Sequence, residues 1–139
     1  MTSPTDHIAV HARLRRLGAM MIGSLIIEML LGTANALWLK LPDTGSGWSS
    51  ATPMWLVSLH MIWGLAILFL AIWIAVLAWR NKIAKWNLWN LAGIIGIIIA
   101  FAGGSSFLSE VSNNGASFTM AVGWAIAIGA YALALVSVD

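Results

Sequence analysis

Four long apolar stretches dominate the chain, and short polar segments separate them. The stretches run from about 17 to 39, 54 to 79, 88 to 109 and 117 to 138. Each reaches the roughly 20 residues that an α-helix needs to cross about 30 Å of hydrocarbon. None alternates between apolar and polar residues, as a membrane-spanning strand would. The pattern predicts an all-α integral membrane four-helix bundle, with residues 1–139 forming a single four-span transmembrane domain.

The composition supports a membrane location. Hydrophobic residues make up 60% of the chain and charged residues only 9%, against about 25% charged residues in ordinary soluble domains. This composition excludes a soluble enzyme. The absence of cysteine excludes disulfides, thiolate metal sites and iron–sulfur clusters. The few cations lie at the ends of the apolar stretches, so the net charge of +2 indicates membrane topology and not nucleic-acid binding.

The positions of the cations predict the orientation of the spans. Only Lys40 lies in the first or third connection. Cytoplasmic segments of membrane proteins are enriched in lysine and arginine. We therefore expect both termini in the cytoplasm of a multi-pass protein, in the plasma membrane of a bacterium or archaeon. The other six cations precede the first span or lie between the second and third: Arg13, Arg15, Arg16, Arg80, Lys82 and Lys85.

The sequence contains a weak internal repeat. Residues 32–35 (Gly-Thr-Ala-Asn) end the first span and His60 opens the second, while residues 103–106 (Gly-Gly-Ser-Ser) end the third and Met120 opens the fourth. Two related helical hairpins of this kind would place spans two and four parallel to each other. Small residues at intervals of four in the third span predict close helix packing: Ala92, Gly96, Ala100 and Gly104.

His60 and Met120 are the candidate metal ligands. His60 is the one histidine within a span, about 10 Å from the start of its helix. A neutral imidazole can ligate haem iron through one nitrogen while the other nitrogen donates a hydrogen bond, and Gly64 would leave room for a ring. The alternative is a histidine that only bonds a neighbouring helix. Met120 aligns with His60 in the repeat, and a thioether is a known axial haem ligand, although most methionines in bundles fill space.

Glu28 lies near the middle of the first span, where an ionised carboxylate needs a polar partner or must be neutralised. Gly32 and Asn35 share its helix face at the spacing i, i+4, i+7. We expect this face to turn inward, with Glu28 as a candidate proton relay or quinone contact. His7 and His11, at i, i+4 spacing, could form a metal pair on a helix, but we expect them to belong to an amphipathic lead-in. We expect Glu110 in a solvated loop.

The order of these features resembles one four-helix half of the heme A synthase family. The resemblance covers nearly the whole chain and implies haem ligands on the second and fourth helices. Val57 stands where the family has a carboxylate three residues before the histidine, Met120 replaces the fourth-helix histidine, and the loop cysteines are absent. The resemblance therefore implies a b-type haem in a four-helix bundle without the oxidation activity of the family.

We expect a membrane electron-transfer subunit of a larger respiratory-type complex, without activity on its own. Haem b is its expected cofactor, bound by His60 and Met120 beside Gly32, Asn35 and Gly64. Its expected partners are the lipid bilayer, other membrane subunits or further copies of itself, and a quinone or redox protein, but no nucleic acid. The alternatives are a cofactor-free accessory or scaffold subunit, a (bacterio)chlorophyll-binding subunit, and a transporter in which Glu28 couples protons.

Overall fold

Four helices make up the fold in a computed structural model that describes residues 4–40, 47–48, 53–109 and 114–137. They are α1 (Pro4–Trp38), α2 (Met54–Arg80), α3 (Ala84–Ser109) and α4 (Asn114–Val136). All four are long and apolar enough to cross a membrane. The predicted all-α architecture with four spans is therefore confirmed.

The helices extend beyond several of the predicted spans. α1 begins at Pro4 and not near residue 17, because no residue after Pro4 breaks the helix and proline suits a first helical turn. α3 and α4 begin four and three residues earlier than predicted. An Asn-Gly pair is typical of a turn, but Asn114 and Gly115 form the start of α4. Residue 138, the predicted end of the last span, lies outside the described residues. So does Glu110, which was expected in a loop.

The helices pack around a square in chain order. α1 contacts α2 and α4, and α3 contacts the same two helices, so α2 and α4 lie at opposite corners. α3 and α4 form by far the most extensive contact. A Cβ added to Gly96 would lie 2.7 Å from the backbone of Ala127, and one added to Gly103 would lie 2.6 Å from the backbone nitrogen of Met120. Close packing against α4 is thus observed at Gly96 and Ala100 of the predicted set, whereas the close contact near the end of α3 is made by Gly103 and not by Gly104.

Two separate apolar clusters fill the bundle. The larger includes Leu25, Ile67 and Tyr131 and draws residues from all four helices. The smaller cluster joins Val57 and Leu108, with Leu39 and Met61 packed against them. It lies at the end of the bundle where α1 finishes and α2 begins, which we call the far end. The opposite end, which carries Arg13, Arg80 and Lys85, is called the basic end.

Candidate functional site

The polar residues of α1 continue the buried stripe of that helix. Leu14, Gly18, Met21 and Leu25 are buried at alternating spacings of four and three. The same spacing continues through Glu28, Gly32 and Asn35. Positions at this spacing share one helix face. Glu28 and its companions therefore lie on the face that α1 turns toward the other helices, as the sequence predicted.

His60 has the same relation to the core of α2. Ile67, Ala71, Ile74 and Ala78 form the buried stripe of this helix, and stepping back along the chain by three and then four residues reaches Gly64 and His60. The imidazole is mostly buried, with 23% of the side chain exposed. The sequence thus places a titratable ring on the interior face of a membrane helix.

Glu28 and His60 meet at the interface between α1 and α2. Oε1 of Glu28 lies 3.3 Å from Nδ1 of His60, and the Glu28 side chain is 18% exposed. The carboxylate also lies over Gly64, where an added Cβ would be 2.8 Å from Oε1. Gly64 was expected to leave room for a flat ring, whereas the structure places a carboxylate there. The carboxylate lies there because of how α1 packs against α2, which cannot be predicted from the sequence of α2 alone.

Gly32 and Asn35 extend this site toward the far end. A Cβ on Gly32 would lie 3.4 Å from Cε1 of His60, so the imidazole rests against this glycine. Asn35 donates from Nδ2 to the carbonyl of Leu31 at 3.1 Å and, at a longer 3.5 Å, to that of Leu56. Gly32 and Asn35 therefore lie in one polar layer with Glu28 and His60.

Three polar atoms of this layer are buried without a hydrogen-bond partner: Oε2 of Glu28, Oδ1 of Asn35 and Nδ1 of His60. The last of these is close to Glu28 but not aligned for a hydrogen bond. A buried polar atom without a partner costs about 1–3 kcal/mol. Three such atoms in one place indicate a layer whose bonding is incomplete within the described residues, which is typical of a site that holds a further group.

Met120 lies level with His60. The pair Glu28–His60 fixes the register of α1 against α2, and a hydrogen bond from Nε1 of Trp124 to the carbonyl of Leu25 fixes that of α1 against α4. Counting along the antiparallel helices from these contacts brings His60 and Met120 to the same depth. The sulfur of Met120 lies near Gly104, 3.6 Å from the position of an added Cβ. The predicted ligands thus share one layer, on opposite corners of the square.

Two tryptophans that the sequence analysis did not single out border the polar layer. Trp63 donates from Nε1 to the carbonyl of Ser24 at 3.1 Å, and Trp124 donates to Leu25 at 2.8 Å. Both indoles therefore tie their helices to α1 one turn from His60 and Met120. The signal in the sequence was their position inside the spans, since a buried indole N–H needs an acceptor.

Among the residues that the structure describes, no group of three histidine or acidic side chains could hold a metal ion. A metal pair formed by His7 and His11 is not tested, because the side chain of His7 lies outside the described residues. A second buried polar group, formed by Asn90 and Tyr131, lies toward the basic end. Asn90 donates to the carbonyl of Ala71 at 3.2 Å and accepts from the hydroxyl of Tyr131 at 2.7 Å. Its bonding is complete, as expected of a structural contact.

The fold and this layer define a multi-pass α-helical membrane protein with a polar centre in its apolar interior. No known family model, curated protein or solved structure matches the chain.

Proposed function

We propose that this membrane protein binds a b-type haem through His60 and acts as an electron-transfer subunit of a larger respiratory-type complex. The observation that carries the proposal is the carboxylate of Glu28, 3.3 Å from Nδ1 of His60. Metal-ligating histidines commonly direct one ring nitrogen at a carboxylate, which orients the ring and leaves the other nitrogen for the metal. Because Nδ1 of His60 faces Glu28, Nε2 is the nitrogen that would bind the metal.

The donor set fits this group. His60 and Met120 offer an imidazole and a thioether at one depth on opposite helices, a pair of ligands that raises the reduction potential of haem iron. The haem would supply a one-electron redox centre. Glu28 would orient the His60 ring, and the two apolar clusters would keep water out from both sides.

The absorption spectrum of the purified protein, oxidised and then reduced with dithionite, tests this proposal. We expect a Soret band and an α-band that sharpen on reduction. His60→Ala should abolish both bands, whereas His11→Ala, which removes a histidine far from the layer, should leave them intact. A far-red band would indicate a chlorophyll, and a colourless protein would indicate a cofactor-free scaffold. Either result, or a full haem spectrum in His60→Ala, refutes the proposal.

Met120 is tested separately from His60. If its sulfur is the second axial ligand, Met120→Leu should retain haem but convert the spectrum from low-spin to high-spin. Leucine has nearly the same volume as methionine, so the packing against Gly104 is preserved. An unchanged low-spin spectrum would remove Met120 from the proposed ligand pair and leave His60 as the ligand.

Proton transfer is a second candidate function, favoured by the unpartnered oxygens of Glu28 and Asn35. An ionisable residue inside a membrane bundle is often part of an ion pathway, and these oxygens could accept hydrogen bonds from water. In proteoliposomes containing a pH-sensitive dye, Glu28→Gln should then abolish proton movement while Asn35→Asp retains it. Proton movement at the normal rate in Glu28→Gln would exclude this function.

A further inference from the structure

The basic end of the bundle carries two pockets with the same character. One, of about 370 Å³, is lined by Val76, Trp79, Arg80 and Lys82. The other, of about 330 Å³, is lined by Ala9, Ala12, Arg13 and Arg16. Each combines two cationic side chains with two apolar ones. The shared composition indicates a ligand that is anionic at one part and apolar at another.

The two pockets lie at the same end of the bundle on neighbouring helices. Glu28 lies opposite His60, and Asn35 lies opposite Leu56. Extending this antiparallel register places Arg80 and Lys82 about one to two helical turns closer to the basic end than Arg13 and Arg16. Because α1 and α2 are neighbours in the square, the four cations lie near each other at this end of the spans. Cations at the ends of membrane spans lie near the lipid headgroups.

Lys82 is held in a strained conformation. Its φ is 56°, and it is the one non-glycine residue with positive φ in the part of the chain that the structure describes. A left-handed conformation costs a lysine roughly 1 kcal/mol that glycine would avoid. Its N–H donates to the carbonyl of Trp79 at 2.9 Å, which keeps the cation beside that indole. Together with the bond from the N–H of Ile83 to the carbonyl of Ala78 at 3.0 Å, this is the C-cap that ends α2 and fixes where the Lys82 backbone lies.

Trp79 indicates that the ligand is a lipid. Its side chain is 77% exposed, on the surface of a membrane helix and beside two cations. Tryptophans in this position lie among lipid headgroups, and basic pockets at the ends of transmembrane helices bind anionic headgroups. A soluble phosphate has no apolar part that could contact Val76 and Trp79 in the lining, whereas a lipid does.

We propose that these two pockets bind anionic phospholipids, with Arg80 and Lys82 contacting one phosphate and Arg13 and Arg16 another. The apolar side chains contact the start of the acyl chains. This site is separate from the polar layer at Glu28 and His60, and it does not depend on the function proposed for that layer.

Native mass spectrometry of the detergent-solubilised protein, titrated with phosphatidylglycerol or phosphatidylcholine, measures this preference. We expect phosphatidylglycerol to bind about tenfold more tightly than phosphatidylcholine, and the double variant Arg80→Gln with Lys82→Gln to lose that difference at one pocket. Lys85→Gln removes a cation at the same end whose Nζ bonds Ser137 instead, so it should bind normally. Equal binding of both lipids, or an equal loss in Lys85→Gln, would overturn the proposal.

Lys82→Gly separates binding from folding. Glycine relieves the positive φ, so this variant should melt at a higher temperature in zwitterionic detergent while its binding of phosphatidylglycerol falls severalfold. If Lys82 only supported the fold, the more stable variant would bind phosphatidylglycerol as well as the unmodified protein does. That result would contradict the site. Inorganic phosphate is the further control, because competition at millimolar concentration would indicate a site for free phosphate and not for lipid.

Discussion

Two pairs of buried polar residues in this bundle differ in how completely they are bonded. Asn90 and Tyr131 satisfy each other and the carbonyl of Ala71. Glu28 and His60 approach each other but leave polar atoms unpaired. In an apolar bundle an incomplete pair destabilises the fold, whereas a complete one stabilises it. Complete bonding is typical of a structural contact, whereas incomplete bonding is typical of a site that holds a further group.

The structural pair can be tested by removing one hydroxyl. Tyr131→Phe retains the ring that packs over Gly93 but leaves Oδ1 of Asn90 without its donor. Hydrogen bonds between membrane helices contribute about 0.6 kcal/mol on average, and an orphaned buried acceptor costs about 1–3 kcal/mol. We expect a loss of about 1 kcal/mol in the free energy of unfolding, measured by denaturant titration in micelles. No loss would mean that the hydroxyl is not buried in this contact.

The functional pair predicts energetic coupling between its members. Glu28→Gln and His60→Gln should each change the free energy of unfolding, and the double variant should differ from the sum of the two changes by about 0.5–3 kcal/mol. The reason is that each substitution removes the same 3.3 Å contact. The measurement is a double-mutant cycle in micelles, with Glu28→Gln and Tyr131→Phe as the control cycle. Additive changes at Glu28 and His60 would show that the contact has no energetic effect.

At the scale of helices, the two hairpins are packed differently. Glycines let the backbones of α3 and α4 touch at Gly96, Gly103 and Gly123. The α1–α2 interface instead contains the larger side chains of Glu28 and His60. Close backbone contact maximises van der Waals attraction, the main force between helices in lipid. The α3–α4 hairpin is therefore the more closely packed of the two, and the polar layer lies at the interface of the other.

Two glycines of α4 provide a matched test of this difference. A Cβ at position 123 would collide with the backbone of Ala100, whereas one at position 129 meets nothing within 4 Å. Gly123→Ala should lower the free energy of unfolding by about 1–3 kcal/mol through overpacking. Gly129→Ala should raise it by about 0.5–1 kcal/mol through helix propensity. Equal effects of the two substitutions would mean that α3 and α4 do not approach as closely as described.

The sequence predicted the helices better than their contacts. Hydropathy identifies the spans, and periodicity places Glu28, Asn35 and His60 on interior faces, because both signals lie within single helices. The contact of Glu28 with His60, and the carboxylate over Gly64, depend on the register between α1 and α2. No local pattern encodes that register. Hydropathy places the start of the first span near residue 17, whereas the helix itself begins at Pro4, because a hydropathy window ends where polar residues begin and a helix does not.

For the whole molecule, length and surface agree with a membrane environment. α1 has 35 residues, or about 52 Å of helix, which exceeds the roughly 30 Å of a hydrocarbon core. Its start therefore extends beyond the hydrocarbon at the basic end. Large apolar side chains remain exposed on the outside of the helices, among them Ile62 and Phe69. In water such a surface would aggregate, whereas in lipid it is the expected exterior.

The topology follows from the same distribution of charge. Six of the seven cations lie at the basic end or before it, and Lys40 alone lies toward the far end, which predicts that the basic end faces the cytoplasm. Because the chain has no cysteine, each introduced cysteine is its sole thiol. In intact cells a membrane-impermeant maleimide should label Lys40→Cys, but should label Ala9→Cys and Lys85→Cys only after lysis. Labelling of Ala9→Cys and Lys85→Cys from opposite sides would contradict an even number of spans between them, and labelling of both from outside would invert the predicted orientation.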